Sequence, residues 1–254
     1  MAITRKTESD LKKMRQAGLI QARILNQLGA ALCPGITTKE LDILARELCA
    51  KYKVRPGFLG HQGFPAAICT ALNAGVVHGI PQADECLREG DIIGIDFGVL
   101  CEGFYADACQ TFILGDVPRA VRNFVLRVRK SLFRGIAAAR AGKRVGVISH
   151  AIQAYIEQFG YGIVRETVGH GIGRELHEDP KVPNFGSLKS GPILRPGMTL
   201  CLEPIITMGS PRIKTAKDGW TLSTEDGSLA AHFEHQILIT EGEPEILTPW
   251  HLGA

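Results

Sequence analysis

The chain has 254 residues, 45% of them apolar and 22% charged, with a net charge of +3. This is the composition of an ordinary globular protein, long enough for a full core in one large domain or two fused halves. The small positive charge is no reason by itself to expect nucleic acid. No run of about 18 apolar residues suggests a membrane span, and the polar start MAITRKTESDLKKMRQAG reads as carrying no signal peptide.

In chain order, Leu11, Met14, Ala17, Gly18, Ile20 and Leu25 recur at helical spacing and predict a helix over Thr7–Leu32. Cys33-Pro34-Gly35 ends it. Thr37 or Thr38 can cap a second helix, Lys39–Lys51, with Leu41, Leu44, Ala45 and Leu48 on one face. PGFLGHQGFP (56–65) is a glycine-rich loop, and Ala66–Ala71 reads as a short strand. NAGVVHGIP (73–81) carries His78. Two strand-like runs then flank a turn in GDIIGIDFGVLCEGFYADACQTFIL (90–114), each with one aspartate. If Cys101 and Glu102 centre the turn, Asp96 and Asp107 are direct cross-strand neighbours. Like charges so placed repel, and burial in an apolar sheet makes the pairing worse. A shared proton or a cation is needed.

Helices are expected over Val117–Arg140 and Val145–Phe159. Arg119, Arg122, Arg127, Arg129, Lys130, Arg134, Arg140, Lys143 and Arg144 lie in or just after the first, with no acidic residue among them. VRETVGHGIGRELHEDP (164–180) is a glycine-broken segment with His170 and His177. Strands are expected over Met198–Met208 around Glu203, Trp220–Thr224, and Leu229–Thr240 around Glu234. The second half echoes the first. Pro34-Gly35 aligns with Ala141-Gly142, and Leu87-Arg88-Glu89-Gly90 with Leu194-Arg195-Pro196-Gly197, both at an offset of 107 residues; His78-Gly79-Ile80 echoes His170-Gly171-Ile172. A duplicated α+β unit with its site between the halves is the expectation.

Four acidic residues thus stand on strands, Asp96, Asp107, Glu203 and Glu234, with His78, His170 and His177 in glycine-rich segments. Taken singly, a strand carboxylate belongs at the solvent face and a histidine in a structural hydrogen bond. Taken together, four carboxylates and one or two imidazoles suit a pair of divalent first-row metals better than one structural zinc. Two such ions about 3.5–4 Å apart share a bridging water and turn it into a nucleophile. Four carboxylates do not share one proton comfortably, which favours the cation. His177-Glu178-Asp179-Pro180 is not HExxH, and Gly169–Gly173 lacks the full dinucleotide pattern. Cys33, Cys49, Cys69, Cys86, Cys101, Cys109 and Cys201 are scattered, odd in number and without CxxC. They predict neither a disulfide framework nor a thiolate zinc site, and fit a reducing cytoplasm.

These residues, in the order Asp96, Asp107, His170, Glu203, Glu234 and within the segments ETVGHGIGRELHEDP, LRPGMTLCLEPII and AAHFEHQILIT, resemble a type I methionine aminopeptidase over about Ser9–Leu247. The resemblance implies a single α/β catalytic domain of the pita-bread fold, with pseudo-twofold halves at about 7–116 and 117–247, an antiparallel sheet, helices outside and the metal site between the halves. It implies removal of the initiator methionine from nascent proteins when the second residue is small, by a cytoplasmic monomer. Carried over by motif, Asp96 chelates one ion, Asp107 and Glu234 bridge two, His170 completes one shell, and Glu203 binds while handling protons. His177 stabilises the tetrahedral intermediate, His78 orients the peptide or passes a proton, and the substrate's α-amine binds the second ion. Fe(II), Mn(II), Co(II) and Zn(II) are all compatible with such ligands. Phe58, His61, Phe64, Cys69, Leu176 and Trp220 fall where the family's methionine pocket lies. Four depart from it: His61 and Phe64 stand where tyrosine is common, Phe58 where cysteine is, and Leu176 where phenylalanine is.

Only 30 residues separate Glu203 from Glu234, leaving no room for the insertion of type II enzymes, and no zinc-binding extension precedes Thr7. The plain bacterial form is expected. Alternatives are an Xaa-Pro peptidase of the same fold, which usually carries a large extra N-terminal domain, and a non-catalytic relative that binds nucleic acid or ribosomes. The Arg119–Arg144 run reads either as a solvated helix face or as a dock for ribosomal RNA.

Overall fold

The computed structural model describes residues 3–250. Four helices cover four antiparallel sheets: α1 (Glu8–Ala30), α2 (Thr38–Tyr52), α3 (Arg119–Ala138) and α4 (Val145–Ile156). The first two start at capping boxes that the sequence spells out. Thr7 accepts from the Asp10 N–H while Asp10 reaches back to Thr7, and Thr37 and Glu40 do the same. Glu40 therefore selects Thr37, not Thr38, as the cap. The expected fourth helix stops at Ile156, with a 3-10 turn over Glu157–Phe159.

α1 lies across the long hairpin of strands Ile92–Cys101 and Phe104–Ile113. Met14, Ile24, Leu25 and Leu28 are wholly buried, each worth roughly 1.5–3 kcal/mol. Packing of this face, more than helix propensity, holds α1 in place. Gln21 is also buried, and its Nε2 donates to the carbonyls of Phe97 (2.7 Å) and Ala108 (3.2 Å). A Cβ on Gly18 would collide with the Leu247 carbonyl, so glycine there lets the last strand segment cross the helix closely.

The hairpin register differs from the expected one. Asp96 faces Cys109 and Asp107 faces Gly98, because Glu102 and Gly103 form the turn, with φ of 48° and 78°. A two-residue turn with both central φ positive matches the strand twist, and Gly103 takes its position without steric cost. Asp96 and Asp107 are diagonal neighbours, not direct ones. A slip of two residues preserves the faces, so both carboxylates still point to the same side.

The expected strands around Glu203 and Glu234 are each interrupted. Thr199–Leu202 pairs with His235–Leu238, and Ile205–Thr207 pairs with Ala230–His232. Leu202 faces His235 and Ile205 faces His232, so Glu203 and Glu234 occupy facing positions in the gap. Pro204 has no N–H for a ladder. The freed backbone groups find other partners: Glu234 N–H donates to Cys109 O (2.9 Å), and Trp250 Nε1 and Asn184 Nδ2 donate to the Glu234 and Glu203 carbonyls, both at 2.9 Å. The first of these bonds ties the second-half gap to the first-half hairpin. The expected Ala66–Ala71 strand begins only at Cys69 and runs to Leu72, placing Cys69 opposite Asp96. The expected Trp220–Thr224 strand likewise begins only at Leu222.

Hydrogen bonds recur at the spacing seen in the sequence. Gly35 N–H donates to Leu87 O (2.8 Å) and Gly142 N–H to Leu194 O (2.9 Å); the bridge Thr37–Cys86 recurs as Arg144–Ile193.

Candidate metal centre

Asp96 and Asp107 come from the two hairpin strands, His170 from strand Gly169–Gly171, and Glu203 and Glu234 from the facing gaps. All five line one cavity of about 130 Å3. His78, His177, Phe58, His61, Phe64, Cys69, Leu176 and Trp220 line it too, so every residue expected at the site is brought to it. One carboxylate oxygen from each of Asp96, Asp107 and Glu234 lies within 4.8 Å of the others. His170 Nδ1 is 2.8 Å from Gly171 O. Donation of that N–H leaves the Nε2 lone pair facing the cavity, where Glu203 Oε1 is 3.6 Å away.

The electrostatics are those of a buried cluster of like charges. Burial, then mutual repulsion, raises the Asp96 and Glu234 carboxyls well above the usual range. Burial lifts Asp107 to about 7, and burial with repulsion from Asp107 lifts Glu203 to about 8. Burial also depresses His170 to about 3, so its imidazole is neutral, as a ligand must be. Asp96 Oδ1, Asp107 Oδ1 and Glu234 Oε1 are buried without any hydrogen-bond partner. Buried polar atoms are rarely left so. Orphaned carboxylate oxygens converging beside a neutral imidazole are the donor set of divalent cations, and the residues fit that role.

Four further residues belong to the site. His232 Nε2 is 3.9 Å from Glu203 Oε2 and has no hydrogen-bond partner. Thr111 holds the His232 backbone at both ends, its Oγ1 donating to His232 O (2.8 Å) and accepting from His232 N–H (3.0 Å). Cys201 faces His170 in register, and its sulfur lies within 4.8 Å of ligand atoms of His170 and Glu234. Gln62 joins the pocket wall. His232, Thr111 and Cys201 stand two or four residues from Glu234, Asp107 and Glu203. Even spacing along a strand puts them on the same face, which is the signal that could have found them. Gln62 sits in a loop and gives no such signal.

Apolar side chains also line the cavity. Phe64 and Trp220 meet edge to face at 5.2 Å, beside Phe58 and Leu176. His177 stands between His170 and His61, with ring centroids at 4.4 and 5.4 Å.

Residues 12–241 match metallopeptidase family M24. The chain is 46% identical over 243 residues to the methionine aminopeptidase of Clostridium acetobutylicum, covering 96% of this chain and 97% of that protein. It is 43% identical to methionine aminopeptidase 1 of Bacillus subtilis, covering 96% and 98%. Among solved structures, the methionine aminopeptidase of Thermotoga maritima superposes with a TM-score of 0.96 at 42% identity, covering 97% of this chain and 99% of that one.

Proposed function

The chain belongs to metallopeptidase family M24 and has its pita-bread fold, and we propose that it is a divalent-metal-dependent aminopeptidase that removes N-terminal methionine from peptides and nascent proteins when the second residue is small. The observation that carries this reading is one cavity lined by both orphaned carboxylates and a cluster of apolar side chains. Asp96, Asp107, His170, Glu203 and Glu234 would hold two cations. Bound there, such ions would supply the charge that the carboxylates lack, a Lewis acid and a water of lowered pKa.

The side chains account for the rest. Phe58, Phe64, Leu176 and Trp220 enclose an unbranched thioether and exclude water around it. The slot takes the side chain of the first residue, which sets the first peptide bond at the acids. Glu203, at the centre of the acidic cluster, takes the proton from attacking water and returns it to the leaving amine. His177 donates to the oxygen that becomes negative in the transition state. His78, at the cavity rim in a left-handed backbone conformation (φ 59°), orients the peptide.

The recurring hydrogen bonds at a 107-residue offset support one catalytic domain, 1–254, built of halves 7–116 and 117–247. Among the described residues no helix is long and apolar enough to cross a membrane, and the free cysteines are compatible with the cytoplasm. A ribosome contact is supported by the exposed Arg119, Arg122, Lys130, Arg134, Lys143 and Arg144. Arg127 does not contribute; it stacks on Phe159 at 3.9 Å and bonds Tyr161. Reversing the exposed set should weaken co-sedimentation with ribosomes and leave peptide turnover unchanged.

The decisive assay is hydrolysis of Met-Ala and Xaa-Pro peptides after chelation and titration with single defined metals. Chelation should abolish turnover and about two equivalents of metal restore it. Cleavage of Xaa-Pro peptides with Met-Ala peptides left intact would overturn the reading.

A further inference from the structure

The loop between strands Gly169–Gly171 and Glu178–Val182 carries two residues of the cavity, Leu176 and His177. It is pinned from outside the site. Tyr105 N–H donates to Gly173 O (2.8 Å), and Arg174 Nη2 donates to Asp10 Oδ1 (3.1 Å) at the start of α1. The main clamp is Glu178. Its Oε1 accepts from the Arg174 N–H (2.9 Å), which folds the loop back on itself. Its Oε2 accepts from Lys6 Nζ (2.6 Å) and Thr4 Oγ1 (2.7 Å). The N-terminal segment that brings Lys6 there is itself tied down. Lys6 N–H donates to Gly197 O (2.7 Å), Arg5 Nε donates to Pro196 O (2.8 Å), and Thr7 caps α1.

The side chains of Lys6 and Glu178 are only 6% and 8% exposed. Arg15, Arg46 and Arg140 pair with carboxylates too, but their side chains are 35–38% exposed. Exposed pairs hold little in place, whereas removing one partner of a buried pair strands a charge. A Cβ on Gly173 would collide with Lys6 Cε and Glu178 Oε1, so the loop closes tightly over the pair. Neither side chain lines the cavity. The pair therefore meets the chemistry only through the backbone of the loop, and His177 is the residue next to Glu178. A shift of about 1 Å in a group that faces the reacting atoms can cost about 100-fold in rate.

We propose that Lys6 is a positioning residue for the reaction: through Glu178 it holds the 173–178 loop so that His177 meets the scissile carbonyl. This rests on the aminopeptidase reading above. Lys6 touches neither substrate nor the reacting atoms, and no bond forms or breaks there. Its effect passes through His177 and vanishes when that imidazole is absent.

The test is a double-mutant cycle between Lys6→Met and His177→Ala in the full-length, metal-loaded enzyme, with kcat and KM measured for Met-Ala-Ser at saturating metal. Lys6→Met should lower kcat by about 10- to 100-fold, the scale of a misplacement of about 1 Å, and leave KM little changed. In the His177→Ala background the same substitution should change kcat by less than about twofold, because the group it positions is gone. Lys6→Arg keeps the charge and should recover most of the loss. If Lys6→Met alone does not fold, Lys6→Met with Glu178→Gln takes its place in the cycle; it leaves no lone buried charge and keeps an acceptor for the Arg174 N–H. A role in stability alone would lower kcat by the same factor in both backgrounds. Equal factors, a kcat for Lys6→Met within about twofold of wild type, or a loss that excess metal repairs overturns the proposal, while wild-type cleavage of Met-Ala-Ser still upholds the aminopeptidase reading. A wild type that leaves Met-Ala-Ser uncut overturns both.

Discussion

Removing the metals should make stability fall with rising pH between 6.5 and 8. In the unfolded chain the carboxyls titrate near 4. In the folded, metal-free protein Asp107 titrates near 7 and Glu203 near 8. Across this window the folded state therefore holds protons that the unfolded state has lost, and stability is lost as pH rises through the folded values. The buried histidines offset part of this. His170, His232 and His235 are depressed to about 3 and His177 to about 4, while the unfolded imidazole is still about half protonated at pH 6.5, so each gains stability as pH rises through the window. Glu203 gives up about half its proton over the window and Asp107 nearly all of what it still holds, a loss of about 2 kcal/mol, of which the four histidines return about 1 kcal/mol. Asp96 and Glu234 are raised too and add to the loss. For a chain of this size a net loss of about 1 kcal/mol is roughly 2–4 °C in Tm. Thermal melts of chelated protein at pH 6.5 and 8.0, at equal ionic strength, measure it. Glu203→Gln removes the larger carboxyl contribution and should abolish most of the drop. The metal-loaded protein should show none, since cations replace the protons. A metal-free Tm that is flat or rises over this interval would refute the charge-cluster account.

Three other outcomes follow from single contacts. His177→Ala should lower kcat by about 10²–10³, with KM for a Met-Ala peptide and the far-ultraviolet circular dichroism little changed. Thr111→Val removes the hydroxyl that bonds both the buried His232 carbonyl and its N–H, leaving the carbonyl the weaker Cys109 thiol contact (3.6 Å); it should cost about 1–3 kcal/mol in urea unfolding and, by loosening the support of Glu203, weaken metal affinity about 10–100-fold by calorimetry. Asp42, wholly buried, accepts from the Ala67 N–H (2.6 Å) and pairs with Arg46 (3.0 Å); Asp42→Ala should lower stability by about 1–3 kcal/mol and expose the Pro65–Ala67 segment to limited proteolysis.

Local order was legible where one short-range rule decides. A threonine cap at Thr37 or Thr38, the apolar face of α1 and the segments holding the five candidate ligands could be read directly, because caps and periodicities are set within a few residues. The faces of Asp96 and Asp107 were legible even though their register was misjudged, since strand period two survives a two-residue slip. The turn itself depended on where φ could become positive, and Gly103 was the stronger signal. Other features belong to the tertiary structure alone. Glu203 and Glu234 stand in facing strand gaps because Cys109, Asn184 and Trp250 supply partners from 16 to 125 residues away for the freed backbone groups. His232 acquires its place beside Glu203 through Thr111, 121 residues earlier. The sequence by itself determined which donors the centre has and which face each occupies, because those depend on residue type and local period. Only the folded chain decided how close the donors come and which oxygens stay unpaired, because those depend on contacts between segments that no local rule connects.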